Sequence, residues 1–103
     1  MMFTWLNKQG VRSDRGFDVQ FTGRFDAEYR EGDRLVRLYV EDGITGGLDS
    51  IIVTPDAFTH WEDGALIPIK KQAEMFNNLR EAMEFQGLKL VVSQRKPPEG
   101  YRV

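Results

Sequence analysis

From Phe17 the chain alternates. Phe17, Val19 and Phe21 are separated by Asp18 and Gln20, the period of two that sets one face of a strand on a core and the other in water. Thr22 and Gly23 read as a turn, and Phe25, Ala27 and Tyr29 then resume the alternation between Arg24, Asp26, Glu28 and Arg30. Gly32 and Asp33 supply a second tight turn. Arg34 to Glu41 form a third strand, with Val36, Leu38 and Val40 on one face and Leu35 and Tyr39 giving the other partial cover. Ahead of this run, residues 7 to 16 have loop composition and follow a short apolar N-terminal segment. Behind it, Asp42 to Asp49 reads as a loop through Gly43, Gly46 and Gly47, and Ser50 to Val53 as a fourth, buried strand.

The period changes at Thr54. Thr54 can cap a helix, Pro55 suits a first helical position and Asp56 favours the positive end of a helix dipole, so a short helix over about 55–61 is expected. Glu62, Asp63 and Gly64 make a turn, and Pro68 offers a second first-turn position. Ile69, Ala73, Phe76, Leu79, Ala82 and Met83 then recur at helical spacing, which predicts a long amphipathic helix over about 68–86 ended by Gly87. Leu88 to Val92 closes as a strand. The expected architecture is α+β: an antiparallel meander of about five strands, because short turns leave no room for a parallel crossover, with both helices packed on it.

Length bounds this to one domain, residues 1–103, made of a meander (1–53), a helix-turn-helix-strand segment (54–92) and an extended tail from 93 carrying Pro97, Pro98 and Gly100. The absence of cysteine removes disulfides, zinc-thiolate sites and thiol nucleophiles, and is compatible with a reducing compartment. The apolar patch at Met1, Met2, Phe3, Trp5 and Leu6 is too short for a signal peptide or a membrane span, so a soluble, cytoplasmic chain is expected.

The net charge of −2 conceals an uneven distribution. Between Arg37 and Lys70 there is no basic residue apart from His60, whereas Glu41, Asp42, Asp49, Asp56, Glu62 and Asp63 all fall there; six acids and no lysine or arginine make that window −6. After Gly87, Lys89, Arg95, Lys96 and Arg102 against Glu99 give +3. If the acids share one surface, they attract a basic partner and repel nucleic acid; if they lie scattered over loops, they serve only solvation.

Candidate chemistry is sparse. His60, with Asp56 four residues before and Asp63 three after, would share one helix face with two carboxylates, a set that can hold a metal or move protons but also arises as solvated surface. The glycine loop lacks the lysine and hydroxyl of a phosphate-binding loop, and its aspartates would repel phosphate. Neither Ser13, Ser50 nor Ser93 sits in a nucleophile-elbow pattern, and Glu81 and Glu84 read as the solvent side of the helix. Trp61 reads as a core anchor, while Trp5, near a terminus, is open between core and surface. Arg24, Arg30, Arg34 and Arg37 with Phe25 and Tyr29 give a nucleic-acid-binding reading that Asp26, Glu28 and Asp33 weaken.

Phe58, Trp61, Gly64 and Ile67, then Phe76, Asn78, Glu81, Ala82 and Gly87 with the strand after them, resemble a family of small bacterial immunity proteins. These are encoded beside polymorphic or contact-dependent growth inhibition (CDI) toxins, and the likeness is to the family numbered seventy-four, over Ile51 to Val92. The resemblance implies no enzyme activity and no cofactor or metal. Its implied partner is the C-terminal domain of a cognate toxin, often a nuclease, rather than nucleic acid or membrane. The chain itself is expected as a monomer or a weak homodimer, the latter symmetric through an exposed strand edge. An acidic surface of Glu41, Asp42, Asp49, Glu62 and Asp63 suits the basic cleft of such a toxin. The alternative reading is a small nucleic-acid-binding or regulatory module using the strand arginines and the basic tail.

Overall fold

The computed structural model describes residues 2–45 and 47–93. It is an α+β fold of eight strands in two sheets and one helix. The first sheet is a five-stranded antiparallel meander, β1 (Phe3–Asn7), β2 (Gly10–Ser13), β3 (Phe17–Phe21), β4 (Asp26–Glu31) and β5 (Arg34–Tyr39), each paired with the next. The alternation from Phe17 to Tyr39 is therefore realised, and its register joins Val11, Val19, Tyr29 and Val36 into one row across the sheet. All four are buried.

The expected loop over 7–16 is instead the end of β1 and all of β2. Gly10 and Ser13 gave it loop composition, but Ser13 is buried as a strand residue and its hydroxyl accepts the Arg15 amide at 3.0 Å. The expected glycine loop over 42–49 is likewise a hairpin, β6 (Glu41–Thr45) and β7 (Leu48–Val53). Space at Gly43 is tight: a Cβ at that position would lie 3.0 Å from Ile52 Cδ1, the end of a side chain that would have to give by a few tenths of an ångström. The last strand, β8 (Lys89–Val92), does not return to the meander; it pairs parallel to β7, making a second, three-stranded sheet ordered β6-β7-β8. The whole 54–88 segment is the long crossover that a parallel pairing requires.

No short helix forms over 55–61. Two single turns, closed by Ala57 N–H to Thr54 O (3.1 Å) and Thr59 N–H to Asp56 O (3.3 Å), are followed by a bridge between His60 and Leu66. The Thr54 hydroxyl goes to the Asp56 carboxylate at 2.5 Å and caps nothing. A helix this short cannot repay its nucleation, whereas the turns bury Phe58 and Trp61 in the core. The Glu62 N–H then donates to Leu35 O at 2.7 Å, so this segment covers the outer edge of β5.

The single helix, α1 (Ile69–Phe85, 17 residues), starts one residue later than expected, with Pro68 as its extended N-cap and the Pro68 carbonyl accepting the Gln72 amide at 2.9 Å. Its buried stripe is Met75, Asn78, Leu79, Ala82 and Met83, spaced i, i+3, i+4, i+7, i+8. Ile69 and Ala73, expected in the stripe, are exposed. Gly87 ends the helix at φ +81°, with Leu88 N–H donating to Met83 O and Gly87 N–H to Glu84 O, the paired bonds of a Schellman ending. The expected tail, from Gln94 onward, lies outside the described residues. Among the described residues no helix is long and apolar enough to cross a membrane.

The core lies between α1 and the meander. Tyr29 stacks on Phe17 (centroids 5.4 Å apart) and meets Phe58 edge-on (5.3 Å), and Phe58 meets Phe76 of α1 at 5.0 Å. Trp61 is buried as expected, with Arg34 4.6 Å above its ring. Trp5 is half exposed against Phe85, 5.6 Å away.

Candidate functional site

The fold brings arginines from β5 to two of the six acids of the −6 window. Glu62 accepts from Arg37 Nε at 2.8 Å, and Asp63 lies 3.4 Å from Arg34. The Ala65 N–H, bonded to Asp63 at 2.9 Å, and the Arg34 charge hold the Asp63 carboxyl below its usual range. The Glu62 hydrogen bond raises Arg37 in turn. This turn is therefore a zone of paired charge. Asp56 accepts the Thr54 hydroxyl.

Asp42 and Asp49 are different. Asp42 stands opposite Ile51 in the β6-β7 register, and Asp49 precedes Ile51 by two, so the alternation of strand side chains puts both carboxylates on one face of the hairpin. Both are exposed, and neither has an ion pair among the described residues. They line one groove of about 350 Å³ with Gly43, Ser50, Ile51 and Leu88. Glu41, one residue from Asp42, belongs to the opposite face and is half-buried. Of the five acids singled out in the sequence, the fold thus gathers two at a groove, turns one away and pairs two with arginine.

A second cleft, of about 380 Å³, shares Asp42, Ile51 and Leu88 with this groove and reaches the first sheet at Trp5, Lys8 and Arg24. Lys8 and Arg24 have no ion pair among the described residues, though Arg24 sits 5.2 Å over Phe25. Trp5, Lys8 and Arg24 were not legible as neighbours of Asp42, since they come together only through the placement of the second sheet against the first.

The remaining arginines named for nucleic acid are engaged. Arg30 lies 3.6 Å from Glu28, which also stands 4.0 Å from Arg37; Arg12, not among those named, holds Asp18 through two nitrogens at 2.9 and 3.1 Å. His60 is not on a helix, so the face it was expected to share with Asp56 and Asp63 does not exist; its Nδ1 lies 3.1 Å from Thr59 Oγ1. Among the described residues no three His, Cys, Asp or Glu side chains are placed to hold a metal. Glu84 pairs with Arg80 (3.9 Å), and Glu81 accepts from Asn77 (3.2 Å) with Arg15 at 3.7 Å.

Comparison with known proteins finds no matching protein family, no matching curated protein and no matching solved structure.

Proposed function

We propose that this chain is an immunity protein: it binds the C-terminal domain of a cognate toxin of a contact-dependent or polymorphic toxin system, in the recipient cytoplasm, and blocks it without chemistry of its own. The observation that carries the reading is the pair Asp42 and Asp49, two exposed carboxylates without an ion pair among the described residues, on one hairpin face beside an open groove. The resemblance over Ile51 to Val92 supplies the partner class. A nuclease toxin must present cations to phosphate, and a carboxylate pair at a groove occupies such a cleft, speeding encounter and excluding substrate. Of the four arginines of the nucleic-acid alternative, Arg30, Arg34 and Arg37 are paired, which weighs against it because phosphate would have to displace a carboxylate at each; Arg24 has no ion pair among the described residues.

Co-expression tests this. The C-terminal domain of the toxin encoded beside this gene should be tolerated only when this chain is present, and the two should co-purify one to one. Growth arrest despite this chain, with no complex and a shift of labelled RNA or DNA at low salt, would replace the inhibitor by the nucleic-acid module.

A further inference from the structure

The two edges of the first sheet are treated differently. At β5 the Glu62 N–H covers Leu35 O, and the strand carries Arg34 and Arg37. At the other edge, among the described residues β1 pairs only with β2, and Phe3–Asn7 contains no charge at all. An uncharged, apolar edge strand is a template for another strand.

The backbone phase of β1 follows from its pairing. Asp14 N–H donates to Met2 O at 3.0 Å, and Phe3 stands opposite Ser13. In an antiparallel ladder the bonded positions alternate, so Met2 and Thr4 turn their N–H and C=O groups toward β2, and Phe3 and Trp5 turn theirs to the open edge. Side chains alternate the other way. Phe3 and Trp5 lie on the helix side, against Phe85 at 5.3 and 5.6 Å, and Met2 and Thr4 lie on the outer side; the register to β2 shifts between Trp5 and Asn7, so the regular alternation ends at Trp5. Met2, Trp5 and Leu6 are 70%, 50% and 40% exposed.

The segment Met2-Phe3-Thr4-Trp5-Leu6 is symmetric in character about Thr4: apolar, aromatic, threonine, aromatic, apolar. From this we infer that β1 pairs antiparallel with β1 of a second copy of this chain, on a two-fold axis at Thr4, joining the meanders into one ten-stranded sheet. That register sets the outward-facing backbone of Phe3 against that of Trp5 in the second copy, twice over. It also places Thr4 opposite Thr4, so the regular part of β1, Phe3 to Trp5, brings together only pairs that favour pairing and no like charges. Isologous contact of this kind closes at two copies and leaves no further free edge at β1. One strand of 5 residues per copy is a short contact beside a standard interface, so a weak dimer is expected, forming as concentration rises through roughly 1 μM to 1 mM. The inference stands independently of the inhibitor reading, because Thr4 lies outside the groove of Asp42 and Asp49.

Sedimentation equilibrium of the full chain tests it, with Thr4→Glu and Thr4→Lys made separately. The native chain should rise in weight-average mass toward twice 11.9 kDa with concentration, while the Phe3 and Trp5 amides gain protection from hydrogen exchange. Each variant places two like charges face to face on the axis and should remain at the mass of one chain. Their equimolar mixture should recover the dimer, which also shows that both variants fold. A native chain that stays at single mass over the whole range, or a dimer that persists in Thr4→Glu, overturns the inference.

Discussion

Asn78 of α1 donates its side-chain amide to the hydroxyl of Tyr29 across 3.0 Å, in the centre of an otherwise apolar contact between helix and meander. The Tyr29 hydroxyl in turn donates to Glu31 at 2.7 Å, and the other Glu31 oxygen accepts from Lys71, which also holds Glu74 at 2.5 Å. The chain runs from the core to the surface and fixes α1 against β4 in rotation and in register. Burial, then the Glu31 hydrogen bond, pushes the Tyr29 phenol well above its ordinary range.

Tyr29→Phe should destabilise the fold by about 1–3 kcal/mol, because it strands the Asn78 amide in an apolar core. Tyr29→Phe combined with Asn78→Leu should lose less than Tyr29→Phe alone, since no buried donor remains. Urea unfolding of both single variants and the double variant reads the coupling directly.

Stability should fall as pH rises above about 10. Tyr29 and Lys71 both have folded-state pKa values raised above their ordinary 10.0 and 10.5, Lys71 because its hydrogen bonds to Glu31 and Glu74 outweigh the burial that opposes its charge. The folded state therefore keeps protons the unfolded chain releases, and the stabilisation present below pH 10 is lost above it. Tyr29 alone accounts for at most about 1.4 kcal/mol per pH unit. Thermal melts between pH 8 and pH 11 should show a shallower decline for Tyr29→Phe than for the native chain.

Gly43→Ala should destabilise by up to about 1 kcal/mol through crowding of Ile52 Cδ1, which is only partly buried and can give by the few tenths of an ångström needed. Adding Ile52→Val, which deletes that methyl group, should return part of the loss. Calorimetry of the two variants decides it; equal melting temperatures for both would mean that Ile52 is not the obstacle.

How much of this was legible depended on whether the information was local. The alternation from Phe17 to Tyr39 and the Gly87 ending are written in residues a few positions apart, and the fold follows them. β2 and β6 were hidden because Gly10 and Gly43 count toward loops in composition, while both lie in strands, Gly43 close against Ile52 across the strand pair. The buried stripe of α1 was shifted because Asn78, which reads as polar, occupies a core position that only the distant Tyr29 explains. The parallel partner of β8 and the arginines that neutralise Glu62 and Asp63 were equally out of reach, being set by contacts between segments far apart in sequence. At the candidate site, all five acids were visible as charges, but the grouping that separates Asp42 and Asp49 from the rest exists only in three dimensions.

The most direct measurement is calorimetric titration of the cognate toxin domain with three forms of this chain, each at low and moderate salt. Asp42→Asn/Asp49→Asn and Glu62→Gln/Asp63→Asn both take the net charge from −2 to 0, so only the position of the lost carboxylates differs. The account predicts at least about tenfold weaker binding and a smaller salt dependence for the Asp42 and Asp49 double variant, with the Glu62 and Asp63 variant close to the native chain. Undiminished affinity in the Asp42 and Asp49 variant, or no binding by the native chain, would contradict it.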